Sequence, residues 1–385
     1  MLSEEFDLMN PSYARQPYQD MTKPLTDYYI NTSHNTYLFQ SQVYGDSNAE
    51  AYNRVLLKGG RAVELDCYDG YDGRPIVKHA WTLQKEMARV LKEILQEYLL
   101  TEALPTTNPS VLPSPEALKK KVLIRSRQIA QATKATETPP TTETPQEEDE
   151  DDSPADPLSE LTDLDFAQLL IYMRNVPFRG LEYAQTHSAM NYQTFDEHMR
   201  LNYGRFLDNG GCGYVLKPDF LTNPDSGFNP FSCDVANPGT STLSSIHDKP
   251  WHLTLTIISA QYLVNTAIKD LIDPYVRVYT HGVPCDNQNQ KTCVINNNGL
   301  NPMWNHRMEF DIAVPQLCLI RFVVLDSDKF SSDDIVGQYC VPMNTIQKGY
   351  RHVRLREEDD DLSHSTLFVH VDIQQHNENS SRASL

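Results

Sequence analysis

Residues 63–83, VELDCYDGYDGRPIVKHAWTL, contain side chains suited to metal binding and proton transfer. Apolar and polar residues alternate, which predicts a strand over 61–67 with Glu64 and Asp66 on one face. Two carboxylates on one face repel each other unless a cation lies between them. A turn rich in Asp, Gly and Pro follows and brings His79 back toward the acids. The segment therefore predicts a metal site with a histidine beside it.

A second polar cluster, His34 and Asn35, ends an earlier predicted strand. The C-terminal ends of strands are where α/β barrels carry their active sites. A lone histidine is more often structural, and only the combination with the two acids and His79 favours a site. Amide and carboxylate oxygens select a hard ion such as Ca²⁺. Histidines outside the metal shell can transfer protons near neutral pH. These groups together suit attack of a hydroxyl on a phosphodiester.

The elements that must position these residues alternate between strands and helices. Strands are predicted over 27–33, 61–67, 121–127, 176–180, 189–193 and 212–216, and amphipathic helices over 84–100 and 158–173. This alternation predicts a parallel α/β sheet or barrel. Six strands are fewer than the eight of a complete TIM barrel, whose closure links strand number, tilt and shear. Residues 133–157 are rich in Pro, Thr, Glu and Asp and predict a disordered acidic linker.

The segment 251–373 differs, because short strands recur there at regular spacing, as in HLTLTIISA, PYVRVYT, KTCVINN (291–297) and LCLIRFVVLD. This pattern predicts an antiparallel sandwich. Two acid-bearing loops follow strands of the sandwich, and an Asn-rich turn adds an amide. A single Asp-x-Asp loop is more often a solvated surface, but two such loops in one sandwich predict a carboxylate cup. The acids concerned are Asp273, Asp326, Asp328 and Asp334, and the Asn-rich turn spans 296–305.

Composition narrows the classes of partner. The net charge of −19 disfavours nucleic acid and means that an anionic membrane must be approached through bound cations or a local basic patch. No run of 18 apolar residues is present, which predicts no membrane span. The acidic N-terminal decapeptide lacks the apolar core of a signal peptide, and the seven cysteines are scattered, which together predict a cytosolic protein.

Five long motifs resemble one family. They are PLTDYYINTSHNTYL, RAVELDCYDGYDGRPIVKHAWTL, LPSPEALKKKVLIRSR, VPFRGLEYAQ and RFLDNGGCGYVLKP. In this order they resemble the X and Y halves of eukaryotic phosphoinositide-specific phospholipase C, over 18–132 and 158–230, and 250–373 resembles the C2 domain that follows them. The resemblance is greatest to the delta-like group. It implies a TIM-like barrel, here with about six of eight strands, followed by an all-β C2 sandwich. The implied reaction is hydrolysis of phosphatidylinositol 4,5-bisphosphate to diacylglycerol and inositol trisphosphate in calcium-dependent signalling.

The resemblance also implies roles for individual residues. His34 and His79 would be the catalytic histidines, Asn35, Glu64 and Asp66 the ligands of a catalytic Ca²⁺, and Arg125 and Arg127 the contacts to the inositol phosphates. Arginine suits bidentate binding of phosphate. In the C2 block, Asp273, Asn297, Asp326, Asp328 and Asp334 would bind Ca²⁺ and bridge to anionic lipid. A cytoplasmic protein acting peripherally at a phosphoinositide membrane is expected.

Two family segments have no counterpart in this chain. Only AWTLQ (80–84) separates the His79 hairpin from the next helix, where the family has a helix and a strand whose Glu completes the calcium site. A headgroup-binding strand is also missing between LEYAQTHSA and MNYQT. Three hypotheses stay open: an active phospholipase C, a catalytically impaired variant acting as a calcium-dependent membrane-binding protein, and a chain that folds only in its C-terminal domain.

Overall fold

The computed structural model describes residues 3–39, 48–69, 75–77, 84–105, 108, 111–127, 166, 168–175, 189–232, 250–265, 271–328, 332–357 and 361–375. The chain divides into two compact units. One comprises Met1–Asp20, Thr26–Glu64 and Thr186–Leu385, and the other Met21–Leu25 and Leu65–Gln185.

The elements are as follows in chain order. The helices are α1 Pro11–Arg15, α2 Ala49–Leu57, α3 Gln84–Leu95, α4 Glu197–Phe206 and α5 Asp219–Thr222. The strands of the first half are β1 Tyr28–Ile30, β2 Cys67–Asp69, β3 Pro75–Val77, β4 Arg125–Arg127, β5 Met173–Asn175 and β6 Tyr214–Leu216. Those of the C-terminal block are β7 Trp251–Gln261, β8 Pro274–His281, β9 Gln288–Lys291, β10 Met303–Ile312, β11 Leu319–Asp326, β12 Asp334–Pro342, β13 Gly349–Arg356 and β14 Leu362–Gln375.

The C-terminal block is an antiparallel β-sandwich, as predicted. Its strands follow the order β10-β7-β14-β13-β12-β11-β8-β9. The two halves of this order are joined by a single residue pair, Gln338 with Arg356. On β10 buried and exposed side chains alternate, with Trp304, Met308 and Phe310 buried, whereas nearly every residue of β11 is buried. Burial of these apolar faces against each other supplies the stability of the sandwich.

The strand predicted over 291–297 is wrong in its position. β9 ends at Lys291. The backbone N–H of Val276 then donates to the hydroxyl of Thr292 at 3.0 Å rather than to a ladder carbonyl. Asn297 has a left-handed backbone, with φ of 53°. The chain stays beside β8, because the Ile295 N–H donates to the Pro274 carbonyl at 3.0 Å, but the regular ladder has ended and the turn at Asn297 lies at the end of the sandwich.

In the first unit, residues 32–34 lie between two other chain segments and run parallel to both. Thr32 pairs with Ala62 on one side and Ser33 with Met190 on the other. The strand predicted over 61–67 is confined to this single pairing at Ala62, and β2 begins only at Cys67. β1, which precedes residues 32–34, pairs antiparallel with β6.

The second unit has its own small core. α3 and the 3₁₀ turn Gln96–Tyr98 account for the helix predicted over 84–100. Ala88, Leu99, Phe166 and Leu169 are buried together beside this helix. The helix predicted over 158–173 is wrong at its end, because β5 begins at Met173.

Within this unit β4 runs parallel to β5, and β2 forms an antiparallel hairpin with β3, as the turn residues predicted. The predicted linker 133–157 and strand 176–180 lie outside the described residues.

Candidate active site and acidic loops

His34 and Asn35 stand at the end of the central segment of the three parallel ones. The N–H of Ser33 donates to the Ala62 carbonyl and that of His34 to the Met190 carbonyl, both at 2.9 Å. Asn35 then adopts a left-handed backbone, with φ of 46°. Asparagine tolerates this conformation better than most residues. The turn ends the strand, and the Asn35 N–H points toward the Glu64 side chain.

Glu64 lies directly beside this turn. The backbone N–H of Asn35 donates to Glu64 Oε2 at 2.9 Å. The backbone of Glu64 is held from two sides, because its N–H donates to Thr36 Oγ1 at 3.0 Å and its carbonyl accepts the Tyr52 hydroxyl at 2.9 Å. His34, Asn35 and Glu64, which the sequence predicts on two separate strands, are therefore brought together.

The His34 ring and the Glu64 carboxylate are accessible to a ligand. His34 Nε2 lies 3.9 Å from Glu64 Oε2, and the two side chains are 46% and 37% exposed. A pair this exposed contributes little to stability. Holding the imidazole and the carboxylate close together therefore costs little stability. Both groups can bind a ligand or take part in proton transfer.

The other predicted residues of this site fall in the second unit or outside the described part. Asp66 is half-buried. Burial of the neighbouring Cys67 thiol raises its pKa, and the negative charge of Asp66 adds to this rise. Arg125 is exposed at the start of β4. His79 and the side chain of Arg127 lie outside the described residues.

One residue of the site was missed by sequence reasoning. Asn191 Oδ1 lies 2.8 Å from His34 Nδ1. The sequence carried only a weak signal, namely that Asn191 is a polar residue in a predicted strand. In the structure Asn191 directly follows Met190, which pairs with the strand carrying His34. Only the pairing of Ser33 with Met190 shows that these two segments are neighbours.

At the end of the sandwich, backbone contacts connect three of the predicted C2 ligands. The N–H of Asp273 donates to Asp326 Oδ1, and the N–H of Asn297 donates to Asp273 Oδ1, both at 2.7 Å. Asp326 also stands opposite Asp334 in the β11–β12 ladder. Burial raises the pKa of the Asp326 carboxyl, and the carboxylates of Asp328, Asp273 and Asp334 add to this rise. The acids of these loops are thus close enough to repel one another.

Asp333, which was not among the predicted ligands, orders one of these loops. It accepts the Tyr275 hydroxyl at 2.6 Å and the Asp328 N–H at 3.1 Å. Burial and this carboxylate raise the pKa of Tyr275 to about 12. Asp333 therefore connects the Asp328 backbone to β8.

The donor chemistry of both sites fits a hard cation. In each, the predicted ligands supply carboxylate and amide oxygens, the donors that Ca²⁺ takes, and a cation would offset the crowded charges around Asp326. Among the residues that the structure describes, no three His, Cys, Asp or Glu side chains already form a compact ligand set. No helix in this part of the chain is both long and apolar enough to cross a bilayer.

Three family profiles match this sequence. "Phosphatidylinositol-specific phospholipase C, X domain" matches residues 21–86 and 82–128, the Y domain of the same family matches 184–220, and "C2 domain" matches 251–358. The two pieces of the X match meet at 82–86. This is next to AWTLQ, where a family segment has no counterpart.

Curated relatives give the same result. The chain is 33% identical to 1-phosphatidylinositol 4,5-bisphosphate phosphodiesterase delta-3-A of Danio rerio, over 97% of this chain and 60% of the relative. It is 34% identical to the human delta-3 protein, over 93% of this chain and 57% of the relative. The Danio alignment covers 482 positions, more than the 385 residues of this chain, so that relative carries segments absent here. The chain spans about three fifths of the length of these relatives.

Solved structures share the fold. The crystal structure of S. officinalis PLC21 superposes with a TM-score of 0.77 at 25% identity, over 98% of this chain and 58% of that one. L. pealei PLC21 superposes with a TM-score of 0.74 at 24% identity, over 96% and 58%. The fold is thus that of these proteins, a TIM-like barrel region followed by a C2 sandwich. The chain belongs to the phosphoinositide-specific phospholipase C family and carries its X, Y and C2 domains.

Proposed function

We propose that this chain hydrolyses phosphatidylinositol 4,5-bisphosphate to diacylglycerol and inositol trisphosphate at a membrane surface, in calcium-dependent signalling. The contact of His34, Asn35 and Glu64 carries the proposal: Glu64 Oε2 accepts the Asn35 N–H at 2.9 Å and lies 3.9 Å from His34 Nε2. The relatives' names state phosphatidylinositol 4,5-bisphosphate phosphodiesterase activity for those proteins. These names favour an enzyme over the alternative of a membrane-binding chain without activity.

The roles of the chain's own residues follow from their chemistry. Histidine serves as a general acid or base in many enzymes, and at His34 the ring atom placed for this role is Nε2, which faces Glu64. His79 would be the second imidazole, on the leaving-group side. Arg125 and Arg127 would bind the inositol phosphates, because a guanidinium pairs with phosphate through two hydrogen bonds.

Asn35, Glu64 and Asp66 would hold the catalytic Ca²⁺, which when bound acidifies a hydroxyl and offsets negative charge on the phosphate. The Asn35 backbone and the Glu64 carboxylate are in contact in the first unit, because the Asn35 N–H donates to Glu64 Oε2. With only three protein ligands proposed, water and substrate oxygens would complete the six to eight that Ca²⁺ takes.

The C2 domain supplies the membrane contact in this proposal. Asp273, Asn297, Asp326, Asp328 and Asp334 would bind Ca²⁺ at the end of the sandwich. Bound Ca²⁺ converts an acidic surface into a bridge to anionic lipid. A chain with a net charge of −19 needs such a bridge to approach the membrane. The expected location is cytoplasmic and peripheral at the membrane.

Release of inositol trisphosphate from phosphatidylinositol 4,5-bisphosphate vesicles tests the proposal. The wild-type chain is compared with His34→Ala and with a matched control, His364→Ala, which removes an exposed histidine from β14. Loss of His34 is expected to reduce release by about 10²–10⁴-fold, the range that general acid–base catalysis contributes. The control should release product at the wild-type rate. Equal release by all three proteins would defeat the proposal.

A further inference from the structure

We propose that Asn191 is a positioning residue that fixes the tautomer of His34. The inference rests on the proposed function only for its catalytic consequence. The contact itself is geometric, with Asn191 Oδ1 2.8 Å from His34 Nδ1.

The backbone brings the two side chains together. The His34 N–H donates to the Met190 carbonyl at 2.9 Å, and the Met190 N–H donates to the Thr32 carbonyl at 2.8 Å. These two bonds hold residues 189–191 in parallel beside residues 32–34. Asn191, the residue after Met190, is thereby placed next to His34.

The chemistry of the contact selects one tautomer. A side-chain amide oxygen only accepts hydrogen bonds, so the ring nitrogen facing it must carry the hydrogen. His34 is then protonated at Nδ1 and leaves Nε2 free to accept a proton. Nε2 is the atom that lies 3.9 Å from Glu64 Oε2. The amide thus directs the basic atom of the ring toward the proposed reaction centre.

Asn191 is well placed for this role because the chain beside it is anchored. Tyr192 is 3% exposed, and its hydroxyl donates to Asn31 Oδ1 at 2.5 Å. The Tyr192 ring packs edge-on against Tyr203 at 5.7 Å between centroids. The Asn191 carbonyl accepts the Thr194 N–H at 3.0 Å. The backbone next to the amide therefore has little freedom to move.

A neutral amide provides this orientation without adding charge. A carboxylate at position 191 would also accept from Nδ1, but it would add a second negative group to a site that already contains Glu64. An apolar residue of the same size would leave both ring nitrogens free to carry the hydrogen. Asn191→Asp therefore keeps the contact, and Asn191→Leu removes it.

The test uses the full chain with ¹⁵N-labelled histidine rings, at about pH 8, where imidazole is neutral. A long-range ¹H–¹⁵N spectrum distinguishes a protonated from a bare ring nitrogen, and His34→Ala assigns the His34 signals. Wild-type His34 is expected to carry its hydrogen at Nδ1. Asn191→Leu, and Asn191→Ala should the leucine variant fail to fold, should lose this single tautomer. The matched control Asn53→Leu should keep it, because Asn53 is exposed on α2 and its side-chain amide donates to Glu50.

A wild-type spectrum with the hydrogen at Nε2 would overturn the inference, and so would an unchanged tautomer in both Asn191→Leu and Asn191→Ala. In the vesicle assay, Asn191→Leu is expected to lower product release about 10- to 100-fold, while Asn191→Asp retains most of it. The spectrum is independent of turnover. A wild-type chain that shows the expected tautomer and releases no product would therefore refute the proposed function while supporting the contact.

Discussion

Glu64 connects two chain segments through both its side chain and its backbone. Its carboxylate accepts the Asn35 N–H, and its own N–H donates to Thr36 Oγ1. The residue types at 34, 35 and 64 could be selected from the sequence, because the histidine and the amide follow one predicted strand and the acid lies on the polar face of the next. Thr36 and Asn191 could not, since their roles depend on which segments lie side by side.

Removing the Thr36 hydroxyl tests how this site is supported. Thr36 is 2% exposed, and its Oγ1 accepts the Glu64 N–H at 3.0 Å and donates to Ser33 Oγ at 2.9 Å. Thr36→Val is expected to lower the free energy of unfolding by about 1–3 kcal/mol, because it leaves buried polar groups without partners. Urea denaturation measures the change. The exposed control Thr26→Val should change stability little, and equal effects of the two variants would contradict this role.

Two glycine turns bring the end of α2 close to the start of β6. Gly59 follows α2 and Gly213 precedes β6, with φ of 84° and 81°. A Cβ at Gly213 would lie 2.0 Å from the carbonyl oxygen of Gly59. The Gly213 carbonyl also accepts the Asn31 N–H at 2.9 Å, directly before the pairing segment 32–34. The turns therefore fix how the helix-end and β6 approach the strand that carries His34.

Comparing Gly213→Ala with Gly211→Ala distinguishes a steric clash with the neighbouring backbone from the strain of a positive φ. Both residues have positive φ, but a Cβ at Gly211 would meet nothing within 4 Å. Gly211→Ala is expected to cost only the left-handed penalty, about 1–3 kcal/mol. Gly213→Ala should cost clearly more, measured by thermal or urea unfolding. Equal losses of unfolding free energy in the two variants would show that the Gly59 and Gly213 backbones can move apart without penalty, and would contradict the importance of their close approach.

The acidic loops of the sandwich are tested by vesicle binding. We expect the wild-type chain to bind phosphatidylserine vesicles in Ca²⁺ and to be released by chelation. Asp326→Asn should raise the calcium needed for binding about tenfold or more, in line with about 1.5–3 kcal/mol for a lost charge-assisted contact. Asp219→Asn makes the same charge change at an exposed position on α5 and serves as control. Binding that is indifferent to Ca²⁺ and to Asp326→Asn would contradict the calcium role.

Across the molecule, residues 7–9 pack against the C-terminal sandwich. Leu8 is 1% exposed within the sandwich core, and its N–H donates to the His352 carbonyl at 2.9 Å. Asp7 pairs with Arg354 at 2.8 Å. The sequence showed no sign of this contact, because it joins segments more than 340 residues apart. The sandwich itself was predictable, since strand-like segments recur at regular spacing along this part of the sequence.

His352 makes this region sensitive to acid. Burial lowers the pKa of His352 from the ordinary value of 6.5, while nearby Asp7 opposes the shift. The unfolded chain therefore binds the proton more tightly, so stability is full above pH 6.5 and falls as the pH drops toward the lowered pKa. Between about pH 7.5 and 5.5, the wild type should lose more stability than His352→Gln in urea denaturation. Equal losses would contradict the assignment.

The barrel region was less predictable than the sandwich. Its described strands are three residues long, as in β1, β4 and β6. Strands this short carry little alternation, and their partners are set by neighbours distant in sequence. The pairings of residues 32–34 with Ala62 and Met190 are single bridges. Leu65, which alternates with Glu64 and Asp66 in the predicted strand 61–67, is 50% exposed. Residue types identified the site better than strand boundaries did.

The calcium dependence of inositol trisphosphate release by wild type and Glu64→Gln tests the central claim most directly. Glu64→Gln keeps a side chain of the same size and an oxygen that can still accept the Asn35 N–H, but removes the charge proposed to hold the cation. We expect no release in chelator, calcium-dependent release by the wild type, and a calcium requirement raised about tenfold or more in the variant. Release that persists in chelator, or identical calcium curves for the two proteins, would contradict it.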